Sequence, residues 1–333
     1  MNVNTRLHPE GYHGTGRRPP FFEGWYFKIV DVTGQHRYAI IPGVSLAAGD
    51  GGPHSFIQVL DGASGQTLYQ RYPLEDFHAS HETLSVTVGR NTFSWQGMSL
   101  DLAGSAIALT GVLRFNDPRP WPVNLLAPGI MGWYSWIPRM ECYHGVLSLD
   151  HSLDGILTTN GTTADFAGGR GYIEKDWGQA FPSGWIWMQT NHFEEPGICL
   201  TASIAMIPWI GRTFPGFIVG LYLRGTLIRF ATYTGARTVH LTAEGRTVTW
   251  AIQDGLYRLE ILATTPQAGL LRGPSRSAME RPVPETLSAT IDVTLTARHS
   301  GARHSGAVLF RGRGSYGGME IGGDIEPLLA AAD

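Results

Sequence analysis

Short runs with period-two alternation recur along the whole chain, and they constrain its fold more than any other feature. Residues 22–30, 37–41, 54–60, 84–88, 92–96 and 107–115 are rich in Val, Ile, Thr and aromatics, and are bounded by Gly, Asp, Asn or Pro. The pattern resumes over 198–206, 217–223, 227–232, 238–241, 247–253, 256–263, 289–297 and 307–311. Asp61-Gly62, Glu244-Gly245 and Asp254-Gly255 supply hairpin turns between such runs. No stretch has the period of a long amphipathic helix, so the chain is predicted to be all-β, its antiparallel sheets closed into barrels or sandwiches. A length of 333 residues favours two domains. Two stretches interrupt the rhythm. Residues 117–136, stiffened by Pro118, Pro120, Pro122 and Pro128, read as a crossing segment over a barrel mouth, and 264–284 as a long surface loop or lid. The pentad beginning at Arg298 and repeated from Arg303 reads as a duplicated loop tip.

Composition narrows the function classes. Charged residues are 16% of the chain against roughly 25% in an average globular protein, aromatics reach 11%, and there are 43 glycines. A net charge of −3 offers no basic field for a phosphate backbone, which argues against nucleic acid as a partner. No apolar run approaches the about 18 residues needed to span a bilayer, so any membrane contact is expected to be peripheral. The first twenty residues lack a secretory h-region, and the chain reads as cytoplasmic. Cys142 and Cys199 read as free thiols.

Several motifs fail on context. Gly312 to Gly317 spells GxGxxG, but no helix follows to receive a pyrophosphate. HExxH, CxxC and GxSxG do not occur, and the 12 histidines are scattered, so neither a metal nor a cofactor is expected.

Charge and aromatics gather instead over residues 171–191, GYIEKDWGQAFPSGWIWMQTN. Read as a strand, Tyr172, Glu174 and Asp176 share one face, and Ile173, Lys175 and Trp177 the other. The two carboxylates then stand roughly 7 Å apart by strand rise. In a dry pocket one of them can hold a proton at neutral pH and serve as a general acid. A bulge would instead bring Lys175 beside Glu174 and keep it ionised. A salt bridge fixing a domain junction accounts for any one of these residues equally well. Farther on, Trp185, Trp187, Gln189 and Asn191 fall on one face, opposite Ile186, Met188 and Thr190. Two indoles and two amides suit a pocket for a large amphipathic ligand. Near the N-terminus, Glu23 and Trp25 share a face with Phe27, while Phe22, Tyr26 and Lys28 share the other.

On these residues the chain resembles the tocopherol cyclase family. One signature stands at Gly11-Tyr12-His13, Arg17-Arg18 and Phe21 to Phe27. A second runs through Tyr172, Glu174, Lys175, Trp177, Gly178, Phe181, Pro182, Trp185, Trp187, Gln189, Asn191 and Phe193, and a weaker echo through Gly317 to Gly323. Asp176 departs from the family's Asn, and Gln179-Ala180 from a glycine pair. A carotenoid hydratase family carries a related aromatic pattern. The resemblance implies two lipocalin-like β-barrels in tandem, divided as 1–178 and 179–333, and closure of a prenylated hydroquinone to a chromanol. It assigns Glu174 as proton donor, Asp176 as its partner or the base for the phenol, and Lys175 as an orienting charge. Trp177, Trp185 and Trp187 become a cation-facing wall, Gln189 and Asn191 bind the hydroquinone oxygens, and Glu23, Trp25, Tyr26 and Tyr172 complete the substrate contacts. Hydration or cyclisation of another isoprenoid, and a non-catalytic carrier of a hydrophobic ligand, are the alternative outcomes.

Overall fold

The period-two runs become strands that send alternate side chains into one of two cores. The protein is described here by a computed structural model covering residues 6–49, 51–266, 268–298 and 306–331. The chain divides into two compact units, Met1–Phe181 with Gly269–Val283, and Pro182–Ala268 with Pro284–Asp333.

In the first unit the strands are β1 (Phe22–Val30), β2 (Arg37–Ser45), β3 (His54–Asp61), β4 (Thr67–Tyr72), β5 (Phe77–Ala79), β6 (Ser85–Val88), β7 (Asn91–Ser94), β8 (Gly97–Ala103), β9 (Ala108–Asn116), β10 (Cys142–Thr159), β11 (Thr162–Asp165) and β12 (Arg170–Gly178). They pair in the order β4-β3-β2-β1-β12-β10-β9-β8-β7-β6-β5, every pair antiparallel. The sheet curls onto itself: Ile57 and Val59, near one end of that order, join Val86 and Val88, near the other, in a single core with Trp25, Phe27, Ile40, Leu100 and Ile173.

The second unit contains β13 (Gly184–Thr190), β14 (His192–Phe193), β15 (Cys199–Trp209), β16 (Arg212–Leu223), β17 (Thr226–Ala231), β18 (Arg237–Glu244), β19 (Thr247–Gln253) and β20 (Tyr257–Thr264). After β21 (Gly269–Pro274), β22 (Met279–Ala297) and β23 (Val308–Gly323) complete the fold. Its core takes Ile186, Met188, Ile204, Val219, Trp250, Ile261 and Val293. The all-β, two-barrel expectation therefore holds. Glu326–Ala330 forms a short α-helix of five residues.

Two expectations need correction. The surface loop or lid expected over 264–284 contains β21 and the start of β22. Its Gly, Pro and Arg residues hid a strand that belongs to the first unit and is held within it by side chains: the Gln58 amide donates to the Arg272 carbonyl at 2.9 Å and accepts from the Arg272 N–H at 2.5 Å, and Thr67 donates to the Leu270 carbonyl. The 18-residue β10 was not anticipated at all, because His, Ser, Asp and Gly dilute its alternation and its register against β12 shifts twice. Residues 117–136 are irregular as expected, with a single Val123–Pro128 bridge and a 3₁₀ turn at Gly132–Trp136. Gly312 to Gly317 lies within β23, neither cysteine is in a disulfide, and residues 299–305 of the pentad repeat lie outside the described residues.

Candidate active site

β12 lies between β1 and β10, and its pairing with β1 runs without a break from Phe22–Gly178 to Val30–Arg170. Directly paired residues share a face. Glu23, Trp25 and Phe27 therefore stand with Trp177, Lys175 and Ile173 on the core side, while Tyr26 and Lys28 stand with Glu174 and Tyr172 on the other. The unbroken register removes the bulge that would have turned Lys175 toward Glu174.

On the core side the Lys175 ammonium meets the Glu23 carboxylate at 2.5 Å, and both side chains are fully buried. It also donates to the carbonyls of Pro9 and Gly11, lies 2.9 Å from His13 Nδ1, and sits over the indoles of Trp25 and Trp177 at 4.6 and 4.8 Å. Burial would raise the Glu23 carboxyl, but the Lys175 ammonium and His13 overcome it and hold the group below its usual range. Burial pulls the Lys175 ammonium down, and Glu23 acts against that pull.

The same contacts account for the Gly11-Tyr12-His13 signature. Gly11 passes so close to the His81 carbonyl that a side chain would collide with it. Tyr12 packs edge-on to Phe77, and its hydroxyl is pushed up to about 12 by burial and by Glu23. The His13 backbone N–H donates to both Glu23 oxygens, and its ring stacks on Trp177 at 4.4 Å. Trp25 adds a hydrogen bond to the Glu10 carbonyl. The N-terminal segment is thus pinned to the core side of β1 and β12.

On the opposite face the two carboxylates meet a histidine. His144 on β10 pairs across the sheet with Asp176. Its Nδ1 lies 2.9 Å from Asp176 Oδ1 and its Nε2 3.7 Å from Glu174 Oε2. Tyr172 donates to that same Glu174 oxygen at 2.5 Å, and Tyr26 stands directly opposite Glu174 on β1. Exposure falls from 29% at the Asp176 side chain to 7% at Glu174, so the cluster is wet at one end and dry at the other. Burial and the neighbouring Asp176 hold the Cys142 thiol well above its ordinary value, which keeps it protonated. One imidazole and two carboxylates, with ligand atoms all within 4.8 Å of one another, could also hold a divalent cation.

The remaining predicted residues belong to the second unit. Trp185, Trp187 and Gln189 share the face of β13 opposite its core side and are all buried. Trp185 donates to Glu320 at 2.8 Å and lies flat over Gly322, where a Cβ would fall inside its ring. Asn191 lies between β13 and β14 and accepts from His192 Nδ1 at 3.0 Å.

A family model described as tocopherol cyclase-like matches residues 121–323. The chain belongs to that family. A probable chloroplastic tocopherol cyclase of Oryza sativa subsp. japonica is 27% identical over 154 residues, which is 44% of this tocopherol cyclase-like chain and 32% of the rice protein. The match thus spans about a third of that relative's length. Among solved structures, an AttH-like protein from Nitrosomonas europaea superposes with a TM-score of 0.51 at 17% identity over 94% of both chains. Kievitone hydratase from Nectria haematococca gives 0.51 at 14% identity, over 97% of this chain and 93% of its own. Both share the fold.

Sequence reasoning missed His144 and left His13 without a role. His144 sits on the strand whose alternation was diluted, and nothing near it in sequence marks it as the neighbour of two acids. His13 was visible within its signature, but its contact with Glu23 exists only once β1 and the N-terminal segment are folded together.

Proposed function

We propose that this tocopherol cyclase-like chain is an acid–base enzyme that protonates an isoprenoid alkene, and that its product is a chromanol closed from a prenylated hydroquinone. The observation that carries the reading is the Glu174–His144–Asp176 arrangement with Tyr172 against Glu174. An unactivated alkene is a weak base, and its protonation calls for a carboxylic acid kept neutral in a dry setting. Glu174, almost wholly buried, is that acid. Its proton passes to the less substituted alkene carbon, leaving a tertiary cation. The ring hydroxyl of the same molecule attacks that cation, with the advantage of an intramolecular reaction. The phenolic proton returns to Glu174 through His144 Nε2, so no proton is gained or lost over the cycle. Asp176 accepts from His144 Nδ1, which leaves the lone pair on Nε2 and turns it toward Glu174. Tyr172 orients the Glu174 carboxyl by donating to Oε2, the oxygen that also faces His144 Nε2. Lys175, with Glu23, Trp25 and Trp177, acts from the core side as a positioning group for β12. The Trp185, Trp187, Gln189 and Asn191 surface of the second unit is proposed as a ligand-contact surface in its own right.

The test is incubation with prenylated hydroquinones followed by chromatography and mass spectrometry. A product of unchanged mass with a chromanol spectrum is expected; addition of one water would identify a hydratase, and recovery of intact ligand throughout would identify a carrier. Glu174→Gln should cut turnover at least about 100-fold with ligand binding nearly intact. Unchanged turnover in that variant would remove Glu174 from the acid role.

A further inference from the structure

Residues 118–140 carry a second, separate feature. Within them, Val123 bridges to Pro128, and the Asn124 side chain accepts from the backbone N–H groups of Leu126 and Ala127 at 3.0 and 2.9 Å. This tight turn projects Leu125 and Leu126 into solvent, at 66% and 86% exposure. Behind them Trp133, 44% exposed, stacks on Tyr134 at 4.1 Å, and Trp136 donates its indole N–H to the Leu125 carbonyl at 3.0 Å.

A soluble surface has no use for two adjacent leucines at a turn beside a stacked Trp133–Tyr134 pair and a Trp136 whose indole N–H is already satisfied by the turn itself. The arrangement suits a boundary between water and hydrocarbon, where apolar tips enter the acyl region and Trp and Tyr rest at headgroup level. Charge points the same way. No Asp or Glu occurs between Asp117 and Glu141, whereas Arg119 and Arg139 fall within that interval. Arg119 is paired with Asp150 at 4.0 Å, while Arg6, whose guanidinium lies over the Trp136 ring, places a cation beside that ring. The segment is also joined to the acid cluster, since the His144 backbone N–H donates to Met131 Sδ at 3.1 Å and Tyr143 donates to the Ile137 carbonyl at 2.6 Å.

We propose that the Leu125–Leu126 turn, with Trp133 and Trp136 behind it, is a membrane-docking tip that inserts at the surface of a bilayer containing anionic lipid. This inference goes beyond the proposed reaction and stands whichever molecule the acid cluster acts on, because it is read out with no substrate present.

The experiment is co-sedimentation of the full chain with vesicles of phosphatidylcholine, with and without phosphatidylglycerol. The wild type is expected in the pellet, more strongly with phosphatidylglycerol, with a blue shift of tryptophan emission. Each leucine moved into hydrocarbon contributes roughly tenfold in partition, so Leu125→Asp with Leu126→Asp should weaken binding at least about 100-fold. Leu126→Ala should weaken it about tenfold, and its exposure leaves the fold undisturbed. Val32→Asn, at a lone apolar side chain with 71% exposure, should bind as the wild type does. The proposal is overturned if the wild type stays in the supernatant with both lipids, if the double aspartate variant pellets equally, or if Val32→Asn loses as much binding. It is equally overturned if the leucines prove to hold two copies of the chain together, seen as a concentration-dependent dimer that the double variant abolishes while vesicles leave the wild type unbound.

Discussion

Lys175→Met is the substitution on which the geometry speaks most clearly. The methionine keeps the apolar stem between Trp25 and Trp177 but deletes the ammonium that meets Glu23 at 2.5 Å in a fully buried setting. Glu23 would retain its hydrogen bonds from His13, while the carbonyls of Pro9 and Gly11 lose their shared donor. Removing one partner of a buried pair costs about 3–5 kcal/mol, because the remaining charge stays desolvated. For a unit of roughly 200 residues this corresponds to a fall in melting temperature of about 6–20 °C. The pH dependence separates the charge effect from lost packing. In the wild type the Glu23 carboxyl lies below its ordinary value of 4.5, so its stabilising contribution is present above that pH and disappears as pH falls through the lower folded value. In the variant, burial acts without Lys175 to oppose it, so the carboxyl rises above 4.5 and penalises the fold at neutral pH. Acidification from pH 7 toward 5 should therefore narrow the gap between the two proteins. Adding Glu23→Gln should recover part of the loss in a double-mutant cycle. Differential scanning calorimetry at both pH values is the assay. An unchanged melting temperature at pH 7, or a gap that widens on acidification, would refute the reasoning.

Two further outcomes follow from other sites. Gly322→Ala places a methyl group inside the Trp185 indole, which its bond to Glu320 keeps from stepping aside; a loss of about 1–3 kcal/mol and an altered near-ultraviolet circular dichroism spectrum are expected, and wild-type values for both would show the ring to be free to move. Burial, reinforced by Arg170, holds His151 at about 3. Below pH 6.5 the unfolded chain therefore takes up a proton that the native state refuses, and stability should fall with acidification by up to about 1.4 kcal/mol per pH unit from this group alone. Urea unfolding at pH 7 and 5 should show that slope reduced in His151→Gln; identical slopes in the two proteins would contradict the assignment.

The family match over residues 121–323 accords with the resemblance carried by the second signature. What that signature contains in physical terms divides unevenly. Ile186 and Met188 were legible as one face of a strand and do enter the core of the second unit. Glu174 and Asp176 were legible as sharing a face, and they do. The strand of residues 269–274 was hidden because its burial alternates while its residue types do not: Leu270 is exposed, Leu271 is buried, and glycines fill two of the other buried positions. β10 was hidden because two register shifts break its period.

The amino-acid order alone determined the β class and the division of side chains between the two faces of each strand. Both depend on spacing of one or two residues, and the pleat enforces that spacing locally. Which strands become neighbours, and in what register, was decided only when the sheet closed. That step paired Lys175 with Glu23 and delivered His144 to Glu174 and Asp176. The partners lie far apart along the chain, and hydrogen bonding between strands, together with the packing of one shared core, selects among registers that local alternation leaves equivalent.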